Sequence, residues 1–253
     1  MADVLAEIGG FRFTIRSAGI AAALVTLALF MILRFAMNKK TAAGERTLFR
    51  WADALGFGMM PAAAVWKLFE NRYTGRGREV IEPLPLVGEL TEDGRFLPCN
   101  IEAALILLCF AGICIWLMIR KDGAAGKGDL LIISLCLLAG IRIVTESFRE
   151  DPVHIIRYVY CAVILVCLAV WTGRQARDPR GKQRIAGSWI AAVLCTAMIV
   201  LTASGTLSVG SAIGDLAVIT GCAVLDVLLA LTAGSDARGW EASRPPEQES
   251  GEI

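Results

Sequence analysis

The run DLLIISLCLLAGIRIVTES, residues 129–147, decides the fold. Its 19 residues are apolar apart from both ends, one serine, Ser134, and one arginine, Arg142. Wound as a helix at about 1.5 Å per residue, it is about 28 Å long, close to the hydrocarbon thickness of a bilayer. Six other runs of similar length flank it, at roughly 17–33, 52–69, 102–119, 155–173, 188–204 and 211–232. Across all 253 residues, 56% are apolar and 19% are charged, and the mean hydropathy is +0.60. A soluble chain carries about 25% charge. These values exclude a soluble globular enzyme, a disordered chain and a disulfide-stapled secreted domain. The expected fold is all-α: a polytopic membrane protein of about seven transmembrane helices, with a small external loop region.

The remaining segments are short. Residues 1–16 lack a basic stretch followed by an apolar one, so they are read as an external N-terminal segment and not a cleaved signal. The transmembrane domain covers 17–232, interrupted by an external loop at 70–101 that could form a small cap. The tail 233–253 is polar and contains prolines, and is expected to be a disordered cytoplasmic segment. Residues 52–69 form the weakest span, with Asp53 and Lys67 near its ends and Pro61 between them. A kinked span and a re-entrant element both fit this pattern.

Basic residues set the orientation. Of 25 Lys and Arg, 15 lie in segments 34–50, 120–128, 174–187 and 233–253, and 7 lie in the alternate set. The other three, Lys67, Arg142 and Arg157, lie within spans. The N-terminus is therefore expected outside and the C-terminus inside. Trp51, Trp116, Trp171 and Trp189 fall at the cytoplasmic span ends, where an interfacial aromatic belt belongs. This parity requires the span 52–69 to cross.

A net charge of +1 offers no general attraction to nucleic acid. Seven of the eight cysteines lie in apolar runs, where a thiol acts as a small hydrophobe. There is no CxxC pair, and His154 is the only histidine. Neither a metal site nor a cofactor is expected.

Charged groups within spans are costly, so each needs a reason. Asp53 and Asp129 are expected at helix ends reached by water, and Asp215 and Asp226 to pair with polar groups of neighbouring helices. A different group stands out. Lys67 and Glu70 close the second span, with Asn71 and Arg72 just beyond, and Glu102 opens the third. Arg142, Glu146 and Arg149 follow one another at i, i+4 and i+7, on one face of the fourth. Three spans thus bring ionisable groups to one depth, near the outer headgroup boundary. One reading is an i,i+4 ion pair that ties the bundle together, with Arg149 reaching up to the headgroups. The other is a polar pocket for an anionic phospholipid headgroup, to which a guanidinium is suited by its two-pronged grip on phosphate oxygens.

GDLLIISLCLLAGIRIVTESFREDP, from Gly128 to Pro152, resembles the signature of the bacterial prolipoprotein diacylglyceryl transferases. Gly128, Asp129, Gly140, Arg142, Glu146, Phe148, Arg149 and Pro152 fall in register with it. LPCNIEAALILL, from Leu97 to Leu108, and the stretch from Ala52 (ADALGFG, then LFENRYTGRG) resemble two other elements of that family. The resemblance spans roughly residues 17–175. It implies a multi-pass enzyme of the bacterial plasma membrane that moves diacylglyceryl from phosphatidylglycerol to the cysteine thiol of a lipobox-containing preprotein. On that reading Arg142 neutralises the leaving phosphate, Glu146 orients it, and Glu70 or Glu102 is the base. Lys67, Asn71, Arg72 and Arg149 then bind the headgroup. An alternative is a catalytically inactive relative that binds anionic phospholipid or assists assembly in the membrane. A small-solute transporter ranks last, because no chain of charges crosses the core.

Overall fold

In the computed structural model, residues 4–8, 11–37, 47–69, 89–90, 96–97, 99–119, 128–148, 154–175 and 182–243 are described. Seven long helices run through them: α1 (Ile15–Met37), α2 (Thr47–Phe69), α3 (Cys99–Ile119), α4 (Asp129–Ser147), α5 (His154–Gln175), α6 (Lys182–Ala203) and α7 (Ala212–Ser243). Each coincides with an apolar run of the sequence. Two short antiparallel strand pairs add to the helices, β1 (Val4–Ile8) with β2 (Phe11–Thr14) and β3 (Glu89–Leu90) with β4 (Phe96–Leu97). They lie in the N-terminal segment and in the 70–101 connection. The chain divides into two compact units, Met1–Tyr160 and Cys161–Ile253, with the boundary inside α5.

Six of the helices are long and apolar enough to cross a membrane, and α2 is the exception. Its position explains why. Within the first unit α2 packs against α1, α3 and α4, and Asp53, Ala54, Phe57, Met60, Ala62, Ala64 and Lys67 are all buried. A helix enclosed by other helices does not need a lipid-compatible surface, so it can tolerate polar and small residues. α1 is the opposite case: only 6% of its span is buried, and Leu24, Val25, Leu29 and Ile32 face outward, as lipid contact requires. α2 is also one continuous helix with Pro61 inside it, not a re-entrant turn.

Small residues allow the close approach of α2 to its neighbours, as is common where helices pack in lipid. A Cβ added at Gly56 would run into the backbone of Leu130 and Leu131 in α4, and one at Gly58 would lie 2.8 Å from the Leu27 carbonyl of α1. Ser134 donates its hydroxyl to the Gly56 carbonyl at 2.8 Å. Phe30, Phe57 and Phe110 join α1, α2 and α3 in a ring cluster with centroids 5.1–6.0 Å apart.

The expectation that water reaches Asp53 and Asp129 is overturned: they are 0% and 2% exposed. Asp53 accepts the Leu130 N–H at 3.0 Å, so a side chain of α2 caps the start of α4. Gly128 precedes that start with φ 82° and supplies no side-chain cap of its own. Burying Asp53 is compensated by one of the unsatisfied N–H groups of the first turn and by the positive end of the helix dipole. Replacing Asp53 with Ala is expected to lower stability by about 1–2 kcal/mol, whereas Asp53→Asn, which keeps the acceptor, costs less. Thermal unfolding of the two variants in one detergent would compare them.

In the second unit, α6 packs against α7. Trp171 is 0% exposed and lies against Gly234, where an added Cβ would sit 2.6 Å from its ring. It is therefore a packing residue and not part of an interfacial belt. Trp189 donates to Thr172 at 3.1 Å, and Gln175 donates to the Ala233 carbonyl at 2.8 Å. α7 continues to Ser243, so residues 233–243 are helical where a disordered tail was expected. Residues 244–253 lie outside the described residues.

Candidate functional site

At one end of the first unit, the last turns of α2 and α4 meet the first turns of α3 and α5. Lys67 is two residues from the end of α2 and Glu102 is in the first turn of α3. In α4, Arg142 precedes Glu146 by one turn, so both side chains leave the helix on the same face. Antiparallel neighbours place these ends together.

The charges interlock. Arg142 Nη1 donates to both Glu102 oxygens, each at 2.9 Å. Lys67 Nζ lies 3.2 Å from Glu102 Oε2, so that one oxygen is shared by two cations from different helices. Arg142 Nη2 is 3.6 Å from Glu146 Oε2. The Arg142 guanidinium also sits 5.9 Å from the centre of the Tyr160 ring, in cation–π range. The side chains of Glu102 and Glu146 are 3% and 0% exposed, Lys67 is 8% exposed, and Arg142 is the most open at 16%. Buried charges persist only when they are paired and hydrogen-bonded, and Glu102 and Arg142 meet that condition through each other.

Arg157 belongs to the same end and was not singled out by spacing. It is 1% exposed, and its Nη2 donates to the Glu146 main-chain carbonyl at 3.1 Å. A guanidinium at the carbonyl end of α4 satisfies one of the acceptors left open there and complements the negative end of the helix.

The structure thus brings Lys67, Glu102, Arg142 and Glu146 together. Glu70, Asn71, Arg72 and Arg149 lie outside the described residues. In the second unit Asp226 accepts the Thr196 hydroxyl at 3.2 Å across the α6–α7 interface, and Asp215 folds the α6–α7 turn by accepting from Ser208 and from the Val209 N–H. Among the described residues, no group of three or more His, Cys, Asp and Glu side chains is arranged to hold a metal ion.

Chemically, the cluster at the end of the first unit is balanced, two cations against two carboxylates, and Arg142 is its member most open to an incoming anion. Its charges come from three helices, and both carboxylates are buried. No protein-family model matches the chain, and no curated protein or solved structure matches it either.

Proposed function

We propose that this chain is a divergent member of the diacylglyceryl transferase type, spanning the bacterial plasma membrane seven times with its N-terminus outside. The observation that carries the reading is the convergence of Lys67, Glu102, Arg142 and Glu146 from three helices on one end of the first unit. The sequence orientation assigns that end to the outer leaflet. α2 is counted as a span on its length, about 34 Å for 23 helical residues, and on its enclosure by three apolar helices.

In the proposed reaction the phosphatidylglycerol headgroup enters beside Arg142. The acceptor thiol sulfur forms a bond to the glyceryl carbon, and the bond from that carbon to the phosphate oxygen breaks. Glycerol phosphate leaves, and the thiol proton passes to Glu102 or Glu70. Charge builds on the leaving phosphate, so the guanidinium of Arg142 does most where charge develops. Glu146 holds Arg142 in place, and Lys67, Asn71, Arg72 and Arg149 bind the headgroup.

A second reading, a catalytically inactive relative that binds anionic lipid, is favoured by one feature of the sequence. The stretch TIRSAGIAAA, from Thr14 to Ala23, has no histidine where the resembled family carries His-Gly-Gly. Complementation of a strain depleted of its own diacylglyceryl transferase separates the two. On the transferase reading the wild-type chain restores growth, and Arg142→Ala lowers activity at least a hundredfold, the scale of removing one preorganised charge from a reacting oxyanion. Absence of rescue by the wild-type chain ends that reading for this acceptor class.

A further inference from the structure

Glu102 holds its neighbours in an unusual way. Both of its oxygens sit on one nitrogen of Arg142, and one of them also bridges to Lys67 on a different helix. Two oxygens of one anion shared between a guanidinium and an ammonium is the arrangement that a phosphate group would make with the same two cations. We infer that Glu102 is the resident counter-ion of a two-cation phosphate seat, and that a phosphate diester headgroup binds by displacing its carboxylate from Arg142 and Lys67. The inference rests on the headgroup reading above and goes beyond it, because it assigns Glu102 as the counter-ion that the headgroup displaces.

Three features make the exchange possible. Arg142 is also held by Glu146 on its own helix, through the other amino group, so the guanidinium keeps its position when Glu102 leaves. Glu102 lies in the first turn of α3, where the free N–H groups and the positive end of the helix stabilise a released carboxylate. Arg142 is the most open member of the cluster, which gives an incoming anion a point of first contact.

Charge balance then sets the ligand class. Exchanging one carboxylate for one diester leaves the total charge around Arg142 and Lys67 unchanged. A phosphate monoester or inorganic phosphate brings an additional negative charge into an enclosed site beside Glu146, where charges are poorly screened. The seat therefore prefers the monoanionic diester of a phospholipid to a free phosphate.

The test uses the full-length protein in phosphatidylcholine nanodiscs with graded phosphatidylglycerol, and native mass spectrometry counts the phosphatidylglycerol retained. Glu102→Gln is expected to retain it about tenfold more strongly than wild type, a coupling of ordinary size between two ligands of one group, while Arg142→Ala loses it. Glu102→Asp keeps the charge with a shorter reach, so a smaller gain is expected, and it serves if the Gln variant does not fold. Millimolar inorganic phosphate is expected to leave the bound lipid in place. Equal or weaker retention by Glu102→Gln and Glu102→Asp, with Arg142→Ala weaker still, would overturn the displacement and leave the headgroup site standing. Release by inorganic phosphate would overturn the preference for a diester. Equal retention by wild type and Arg142→Ala would remove the headgroup site itself.

Discussion

Gly56→Leu is expected to abolish the folded first unit. Even the Cβ of an alanine at this position would run into the backbone of Leu130 and Leu131, and a main chain cannot rotate aside as a side chain can. α2 and α4 must then separate. The separation strains two contacts that depend on it, the Asp53 cap on Leu130 N–H and the Ser134 hydroxyl on the Gly56 carbonyl. Forcing extra volume into a packed interface costs about 1–3 kcal/mol. Each buried polar group stranded by the movement adds about 1–3 kcal/mol. Together they approach the whole stability of a typical domain, about 5–15 kcal/mol. Gly112→Leu is the control, because a Cβ there meets nothing within 4 Å, and its effect should stay within about 0.5 kcal/mol. The monodisperse fraction after detergent extraction and the thermal midpoint would both report the difference. Gly56→Leu behaving like Gly112→Leu would mean that α2 and α4 do not approach as described.

The sequence showed the helices well because the bilayer fixes their length. All seven runs recur as α1 to α7, and the errors lie at their ends, where that constraint lapses. α7 runs on to Ser243 because polar residues leaving an apolar span can continue the same backbone hydrogen bonding. The low apolarity of α2 was readable, but its cause, enclosure by α1, α3 and α4, depends on packing that a linear pattern does not contain. Asp53 and Trp171 were misplaced for the same reason. One caps a helix start 77 residues away, and the other fills the space left by Gly234.

The site divides in a similar way. The i,i+4 spacing predicts that Arg142 and Glu146 meet, and helix parity predicts that Lys67 and Glu102 reach the same end. Spacing does not say which carboxylate takes which cation, and the shared grip of Glu102 on both Arg142 and Lys67 emerges only from coordinates. Arg157 stood out in the sequence only as a charge within a span; spacing could not reveal its bond to a main-chain carbonyl, since every residue possesses one.

Removing Arg142 and removing Lys67 should have unequal consequences. Arg142 faces a carboxylate on α3 and another on α4, whereas the Lys67 ammonium pairs with Glu102, which would still hold Arg142 in its absence. Arg142→Leu is therefore expected to cost about 3–5 kcal/mol, the range for stripping one partner from a buried ion pair. Lys67→Met should cost less, about 1–2 kcal/mol, because Glu102 keeps Arg142 as a partner and is not left as an uncompensated buried charge. The double variant Arg142→Leu with Glu102→Leu should recover about 1 kcal/mol of the single loss, because it removes the Glu102 carboxylate along with its partner, while Glu146 and Lys67 each still lose one contact. Thermal unfolding of wild type, Arg142→Leu, Glu102→Leu and the double variant in one detergent closes the cycle, with Lys67→Met measured beside them. Equal losses for Arg142→Leu and Lys67→Met would show that Arg142 does not bridge α3 and α4. The double variant also separates folding from binding. If the charges serve only to hold the helices, the recovered protein should retain phosphatidylglycerol as wild type does. If Arg142 and Lys67 form a phosphate seat, the recovered protein should be stable yet retain no more of this lipid than of phosphatidylcholine.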